Sequence, residues 1–194
     1  MKLGHLFFFL LLSSIISAQT SKFSVEAGYP IPVGDNFLEN YTGIANLNLK
    51  YRIKNLEVVN IGLSLNANML QLNDTGYFPA YDETLSFKTN LFIIQPKVFT
   101  EINLKKINKL HPSVGLGYSF FLANAKFDSP EISNLNTNES GFNLSLGLSY
   151  DIISKLYVFA NYDYNILTKL EPIAPKSSYN SRPTLMQFGM GLRF

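Results

Sequence analysis

His111 is the single histidine beyond residue 18, and Ser113 follows it two positions later, across Pro112. A histidine activates a serine only where the two touch and a carboxylate orients the ring. Here His111 falls in a short connection and Ser113 at the start of an alternating run. The expectation is a solvated turn histidine, not a general base. Cysteine is absent, which excludes disulfides, Cys-ligated zinc and lipid attachment at an N-terminal cysteine. No His cluster has metal-ligand spacing, and no glycine-rich phosphate loop follows a strand to open a helix. No catalytic residue, metal or cofactor is implied. A second group is ionic: Glu26, Lys50, Arg52, Lys97, Glu101 and Arg193 fall on one parity of alternating segments. They form either a ligand or proton pathway or the packed filling of a narrow interior, where charges survive only if paired. Two carboxylates facing four cations, with Asn and Gln nearby, favour filling.

A third group is aromatic and acidic. Tyr77, Phe78, Pro79, Tyr81, Asp82 and Glu83 make one cluster, Asp128, Glu131 and Glu139 frame another, and Tyr179 with Arg182 makes a third. Exposed tyrosine buries area at low entropic cost, so Tyr77, Phe78, Tyr81 and Tyr179 are candidate contacts for a partner. The same segments can instead shield a barrel mouth. Acidic clusters attract divalent cations, but the spacing of a calcium loop is missing.

The elements carrying these residues have a period of two, the mark of strands with unlike faces. Phe23, Val25, Ala27 and Tyr29 alternate with polar or small residues, as do Ala45 through Ile53 and Val59 through Met69. Val114 through Leu122, Phe142 through Tyr150 and Met186 through Phe194 repeat the pattern. The fourth run, with Phe92, Ile94, Pro96, Val98, Thr100 and Ile102 on one face, contains a proline and is expected to bulge there. The seventh is apolar on both parities at its start and settles into alternation at Ala160, Tyr162, Tyr164 and Ile166.

Connections alternate in length. Residues 30–42, 72–86, 123–140 and 168–183 read as long loops, whereas 54–57, 104–111 and 152–155 read as turns. That is an up-and-down meander, whose turns in bacterial barrels face the periplasm and whose loops face outside. The N-terminus opens with Lys2, runs through Leu6–Leu12 and ends Ile16-Ser17-Ala18. This is the form of a cleaved secretory signal over 1–18, leaving 19–194 as one domain. The run is too short for the ~20 apolar residues of a membrane anchor.

The composition of the two faces decides which solvent each meets. Of 194 residues, 46% are hydrophobic and only 15% charged, with 11 Tyr, 16 Phe and no Trp. The polar parity is Gly, Ser and Asn, which fill a crowded interior better than they solubilise a surface. Outward Leu and Val on eight strands would aggregate in water but suit lipid. Unpaired edges in hydrocarbon cost several kcal/mol per orphaned group, so the sheet must close. The fold class is therefore all-β: an eight-stranded antiparallel up-and-down transmembrane β-barrel. Tyr29, Tyr51, Tyr118, Tyr150, Tyr162 and Phe188 lie on the outward parity, several near strand ends where an interfacial belt belongs. The net charge of +2 gives no basic field for nucleic acid.

With its signal, eight alternating strands and a chain ending Gly-Met-Gly-Leu-Arg-Phe, the sequence resembles the small outer-membrane β-barrel proteins of Gram-negative bacteria, porin-like or OmpX-like in size. The resemblance implies outer-membrane localisation, contact with outer-membrane lipid, a monomeric state, and recognition by the barrel-assembly machinery. It assigns that recognition to Phe188, Met190, Leu192 and Phe194. It leaves the role open among structural or surface-interaction protein, ligand-binding protein or narrow channel, and lipid A-modifying enzyme. The enzymes of the group use a His and a Ser on the outer side, whereas His111 falls at the opposite rim. A structural or surface-interaction role without catalysis, around a lumen filled by polar side chains, is the expectation.

Overall fold

The computed structural model describes residues 22–78, 83–104, 107–129, 132–170 and 175–194. The signal assigned to 1–18, and Pro79, Tyr81, Asp82 and Glu131 of the aromatic and acidic clusters, lie outside the described residues. Eight strands follow in order: β1 (Phe23–Pro32), β2 (Thr42–Asn55), β3 (Val59–Phe78), β4 (Glu83–Ile102), β5 (Leu110–Phe127), β6 (Leu135–Asp151), β7 (Leu156–Lys169) and β8 (Thr184–Arg193). A single helical turn, α1 (Ser178–Ser181), precedes β8. Each strand pairs antiparallel with the next, and β8 pairs with β1 to close the barrel. Closure is tight at Gly28 and Gly189, which are partners across that seam. A Cβ on Gly189 would stand 2.1 Å from the Ala27 carbonyl oxygen. No helix of the described residues is long and apolar enough to cross a membrane.

The faces are inverted relative to a water-soluble barrel. Leu47, Leu63, Phe92, Leu116, Leu144 and Met190 stand exposed on the outside. Asn48, Asn66, Asn68, Gln95, Asp163 and Gln187 are buried within. Along β3 the outward apolar band runs from Val59 to Met69, close to the ~9–11 residues of a tilted membrane strand. Above it the outward positions turn polar: Gln71, Asn73 and Thr75 on β3, Lys88 and Asn90 on β4, Asn124 and Lys126 on β5.

Three features differ from the sequence expectation. The connections expected over 72–86 and 123–140 are largely strand, because β3 to β6 continue well past the apolar band. Tyr77 and Phe78 accordingly belong to β3 and not to a loop. Turn-type residues such as Asn73, Asp74 and Gly76 were outvoted by a continuous ladder to β4, from Gln71↔Asn90 to Phe78↔Glu83. Pro96 makes no bulge: register runs unbroken through Leu65↔Pro96, and on the β5 side Ile94↔Phe120 and Lys97↔Gly117 keep the same frame. Register shifts fall instead at Gly43/Ala45, Arg52/Lys54 and Ser140/Gly141.

Candidate functional site

The interior is built in layers, beginning at the rim with the short turns. There Arg52 of β2 reaches past β3 to Glu101 of β4, with Nη2 to the two carboxylate oxygens at 3.0 and 3.1 Å. Arg52 also donates to Ser24 Oγ at 2.7 Å. Arg193 of β8 pairs with Asp151 of β6. His111 places Nε2 2.9 Å from Asp151 Oδ2 and Nδ1 3.3 Å from Asn103 Oδ1. His111 is thus a half-buried residue of β5, not a solvated turn histidine, because the ladder to β6 starts at Leu110↔Tyr150. Ser113 shares its face but sits one step up the barrel against Gly147. Arg52, Glu101, Asn103, His111, Asp151 and Arg193 line a polar vestibule of about 490 Å³.

The next layer centres on Glu26, fully buried on β1. Its carboxylate accepts from Lys50 Nζ at 2.5 Å, Asn48 Nδ2 at 2.7 Å and the Tyr157 hydroxyl at 2.9 Å. Tyr157 also lies under the Arg193 guanidinium, 4.2 Å from ring centroid to Cζ. Glycines make the room for this. A Cβ on Gly191 would meet the Tyr157 ring at 2.3 Å, and one on Gly62 the Phe99 ring at 2.8 Å. Gly191 of the last strand and Gly62 of β3 are therefore spaces for aromatic side chains from neighbouring strands. Lys97 and Asp163 meet at 2.7 Å, and Gln187 Nε2 holds the other carboxylate oxygen at 2.8 Å.

Above this is a neutral layer. The side-chain oxygen of Asn165 accepts from Gln95 at 3.1 Å, Ser119 at 2.6 Å and Asn143 at 3.0 Å. Asn46 donates to Asn66 and Asn68. The interior then changes character. Leu70, Leu91, Ile93, Phe121, Leu167 and Leu185 point inward and are almost completely buried. Leu38, from the β1–β2 connection, inserts among them with no exposure. That connection is shaped for insertion: Gly34 adopts φ +81, and Asn36 donates to the Val33 and Gly34 carbonyls while accepting from the Leu38 amide. The expectation of a lumen filled by polar side chains thus holds for the lower layers alone. The outer end is stoppered by apolar ones.

Glu26, Lys50, Arg52, Lys97, Glu101 and Arg193, the six charges assigned to the interior from the sequence, are buried. Sequence reasoning counted two carboxylates; Asp163 and Asp151 supply the other two, so four cations meet four carboxylates. Asp163 was legible, since it occupies the interior parity of β7. Asp151 sits at the strand end, where parity is hardest to assign. Phe188, Met190 and Leu192 are exposed on the outer face of β8. Phe194 exchanges backbone hydrogen bonds with Phe23, closing the ladder. Tyr77 is exposed. Tyr179, on α1, donates to Glu39 at 3.0 Å and so ties the β7–β8 connection to the β1–β2 connection. Outside the barrel, an apolar groove of about 680 Å³ among Leu49, Leu63, Val98 and Leu116 faces the acyl chains.

No family model matches the chain, and no curated protein matches it in sequence. Solved structures do. A major outer membrane protein from Thermus thermophilus superposes with a TM-score of 0.60 at 16% identity, covering 91% of this chain and 100% of that one. Neisserial surface protein A gives 0.56 at 18% identity, over 90% and 98%. Ail, the attachment invasion locus protein of Yersinia pestis, solved with the heparin analogue sucrose octasulfate, gives 0.56 at 14%, over 89% and 96%. The fold is that of the small outer-membrane β-barrels. It is a transmembrane barrel with eight strands.

Proposed function

We propose that this chain is exported by a signal cleaved near residue 18, assembles as a monomer in the outer membrane, and acts there as a closed, non-catalytic surface-interaction protein. The observation that carries this reading is the unequal height of the wall. β1 and β8 have 10 residues each, while β3 and β4 have 20. A ~3.3 Å rise per residue carries the longer strands well clear of a band that the shorter ones barely cross. Tyr77 lies exposed near the summit. Lys88 and Lys126 are exposed cross-strand partners above the band, with Asp74 and Asp128 lining the same hollow as Lys88. The basic pair supports contact with phosphate groups of the outer leaflet. The stacked ion pairs and the apolar stopper argue against conduction. His111 supports no catalysis, with its two ring nitrogens engaged by Asn103 and Asp151. Phe194, at the end of the closing strand, is the residue we assign to recognition by the assembly machinery.

An epitope inserted between Phe78 and Glu83 tests the surface reading. Labelling is expected on intact cells, together with faster migration on an unheated gel than after boiling. Labelling only after permeabilisation would overturn it. In planar bilayers the reconstituted protein should show no discrete openings; sustained openings would replace this reading with that of a narrow channel.

A further inference from the structure

Above the apolar stopper, on the inner face of the tall wall, lies a second cavity, of about 260 Å³. Tyr41, Phe87, Thr89, Ala125, Phe127 and Thr137 shape it, with Leu135 at the rim and Ala123 on the floor. It continues the stopper outward, with Tyr41 and Ala123 packed against the apolar cluster. Below the stopper, interior positions are Asn, Ser, Gln and paired charges. Here, at the water-facing end, they are aromatic rings, methyl groups and hydroxyls. Phe87 and Phe127 are cross-strand partners whose rings stand 5.9 Å apart at 43°. Ala123 and Ala125, below Phe127 on β5 and opposite Leu91 and Thr89, leave space that larger side chains would fill. Leu135 is half exposed at 51%. Apolar surface of this kind left in water costs about 25 cal/mol per Å².

We infer that this cup binds a small neutral aromatic molecule bearing a hydroxyl group, a simple phenol or aromatic alcohol, from the external medium. The inference goes beyond the surface-interaction role and needs no contact at the summit of the wall. Three properties select the ligand class. The volume, about 260 Å³, lies below the ~300–1,000 Å³ of pockets for larger ligands, so it takes about one ring. The Phe87 and Phe127 rings offer offset and edge-on aromatic contact. Among the described residues the lining contains no charged side chain, and the Glu139 charge acts on Tyr41, so a carboxylate would lose its hydration without a counter-ion and meet a like charge. The polar groups present are hydroxyls: Tyr41, which is hydrogen-bonded to Thr89, and Thr137.

The full mature chain in nanodiscs, with alanine methyls labelled for NMR, tests this with benzyl alcohol as probe. Ala123 and Ala125 line the cup, while Ala27, Ala45 and Ala67 face lipid. Benzyl alcohol should shift the Ala123 and Ala125 methyls saturably and leave the lipid-facing methyls unmoved. Benzoate should give no saturable shift. Ala125→Phe, which fills the cavity, should abolish the response at Ala123 while keeping heat-modifiable gel migration as proof of folding. Parallel, unsaturable shifts at Ala27, Ala45 and Ala67 would mean partitioning into lipid and would overturn the site. So would an unchanged Ala123 response in the folded Ala125→Phe protein, or no shift at all. Equal binding of benzoate would overturn the neutral ligand class.

Discussion

Lys97 of β4 and Asp163 of β7 meet across the lumen at 2.7 Å, although three strand boundaries separate them around the wall. Both are almost fully buried. The pair bridges β4 and β7 through the barrel interior. Taking two charges out of water costs several kcal/mol per ion, offset only by mutual attraction and by the remaining hydrogen bonds. Gln187 supplies one of these.

Breaking this pair from one side is the first prediction. Lys97→Met strands a buried carboxylate, which costs about 3–5 kcal/mol. Lys97→Met combined with Asp163→Asn removes both charges while keeping an acceptor for Gln187. Urea unfolding in lipid vesicles should show a large loss for the single variant and recovery of most of it in the double. A double variant no more stable than the single would mean that the charge pairing is not what holds the two sides together.

A second prediction concerns the space that Gly191 leaves for Tyr157. Gly191→Ala drives a methyl into the ring, and overpacking of this kind costs about 1–3 kcal/mol. Tyr157→Leu on the same background should relieve the clash. Tyr157→Phe alone removes the hydroxyl donated to Glu26, worth about 1.5–3 kcal/mol for a bond to a charged group. Thermal unfolding in detergent ranks the variants; a Gly191→Ala protein as stable as the parent would show that the strands shift to make room.

The strands, their number and their inside-out faces were legible because a period of two needs no tertiary information. The layer change is written in the same parity but is far harder to read. Asn66 and Asn68 give way to Leu70, Ser119 to Phe121, Asn165 to Leu167 and, descending β8, Leu185 to Gln187. Each switch is one residue, and only the register of neighbouring strands brings them to one height. Tyr157 and Phe159 were hidden for another reason: with apolar residues on both parities of β7, nothing local says which face they take. Their partners, Gly191 and Gly28, lie at least 30 positions away, and glycine carries no hydropathy signal of its own. The height of the wall was missed because Asn, Asp and Gly read as turn formers where the ladder to the next strand overrides them.

The tie between Tyr179 and Glu39 makes a prediction about alkali. The hydrogen bond to Glu39, some burial, and the nearby Glu39 and Asp35 charges raise the Tyr179 hydroxyl above its ordinary value. A raised folded value means the tie contributes fully below the ordinary tyrosine range and is lost as pH rises through the shifted one. The β1–β2 connection should therefore stay docked through neutral pH and loosen in alkali. Amide exchange at Phe37, whose N–H donates to the Tyr179 carbonyl at 3.2 Å, reports this directly. Tyr179→Phe should exchange faster than the parent at neutral pH and show no added alkaline step. An alkaline step of the same size in Tyr179→Phe would place the titration elsewhere.

Phe194 separates folding from delivery. Its amide donates to the Phe23 carbonyl at 2.8 Å and its carbonyl accepts from the Phe23 amide at 3.3 Å, with the rings 6.4 Å apart. Deleting it orphans two backbone groups at the barrel rim, where water can reach them, so the intrinsic cost is modest. If Phe194 also serves as the mark that the assembly machinery reads, the cost in cells must exceed the cost in a test tube. The deletion should refold into vesicles of short-chain lipid with near-parental yield, while its amount in the outer membrane of expressing cells falls severalfold. Phe194→Tyr, which keeps an aromatic end, should restore it. Equal losses in vesicles and in cells would make Phe194 a structural closure residue alone; normal levels in cells would remove it as a mark altogether.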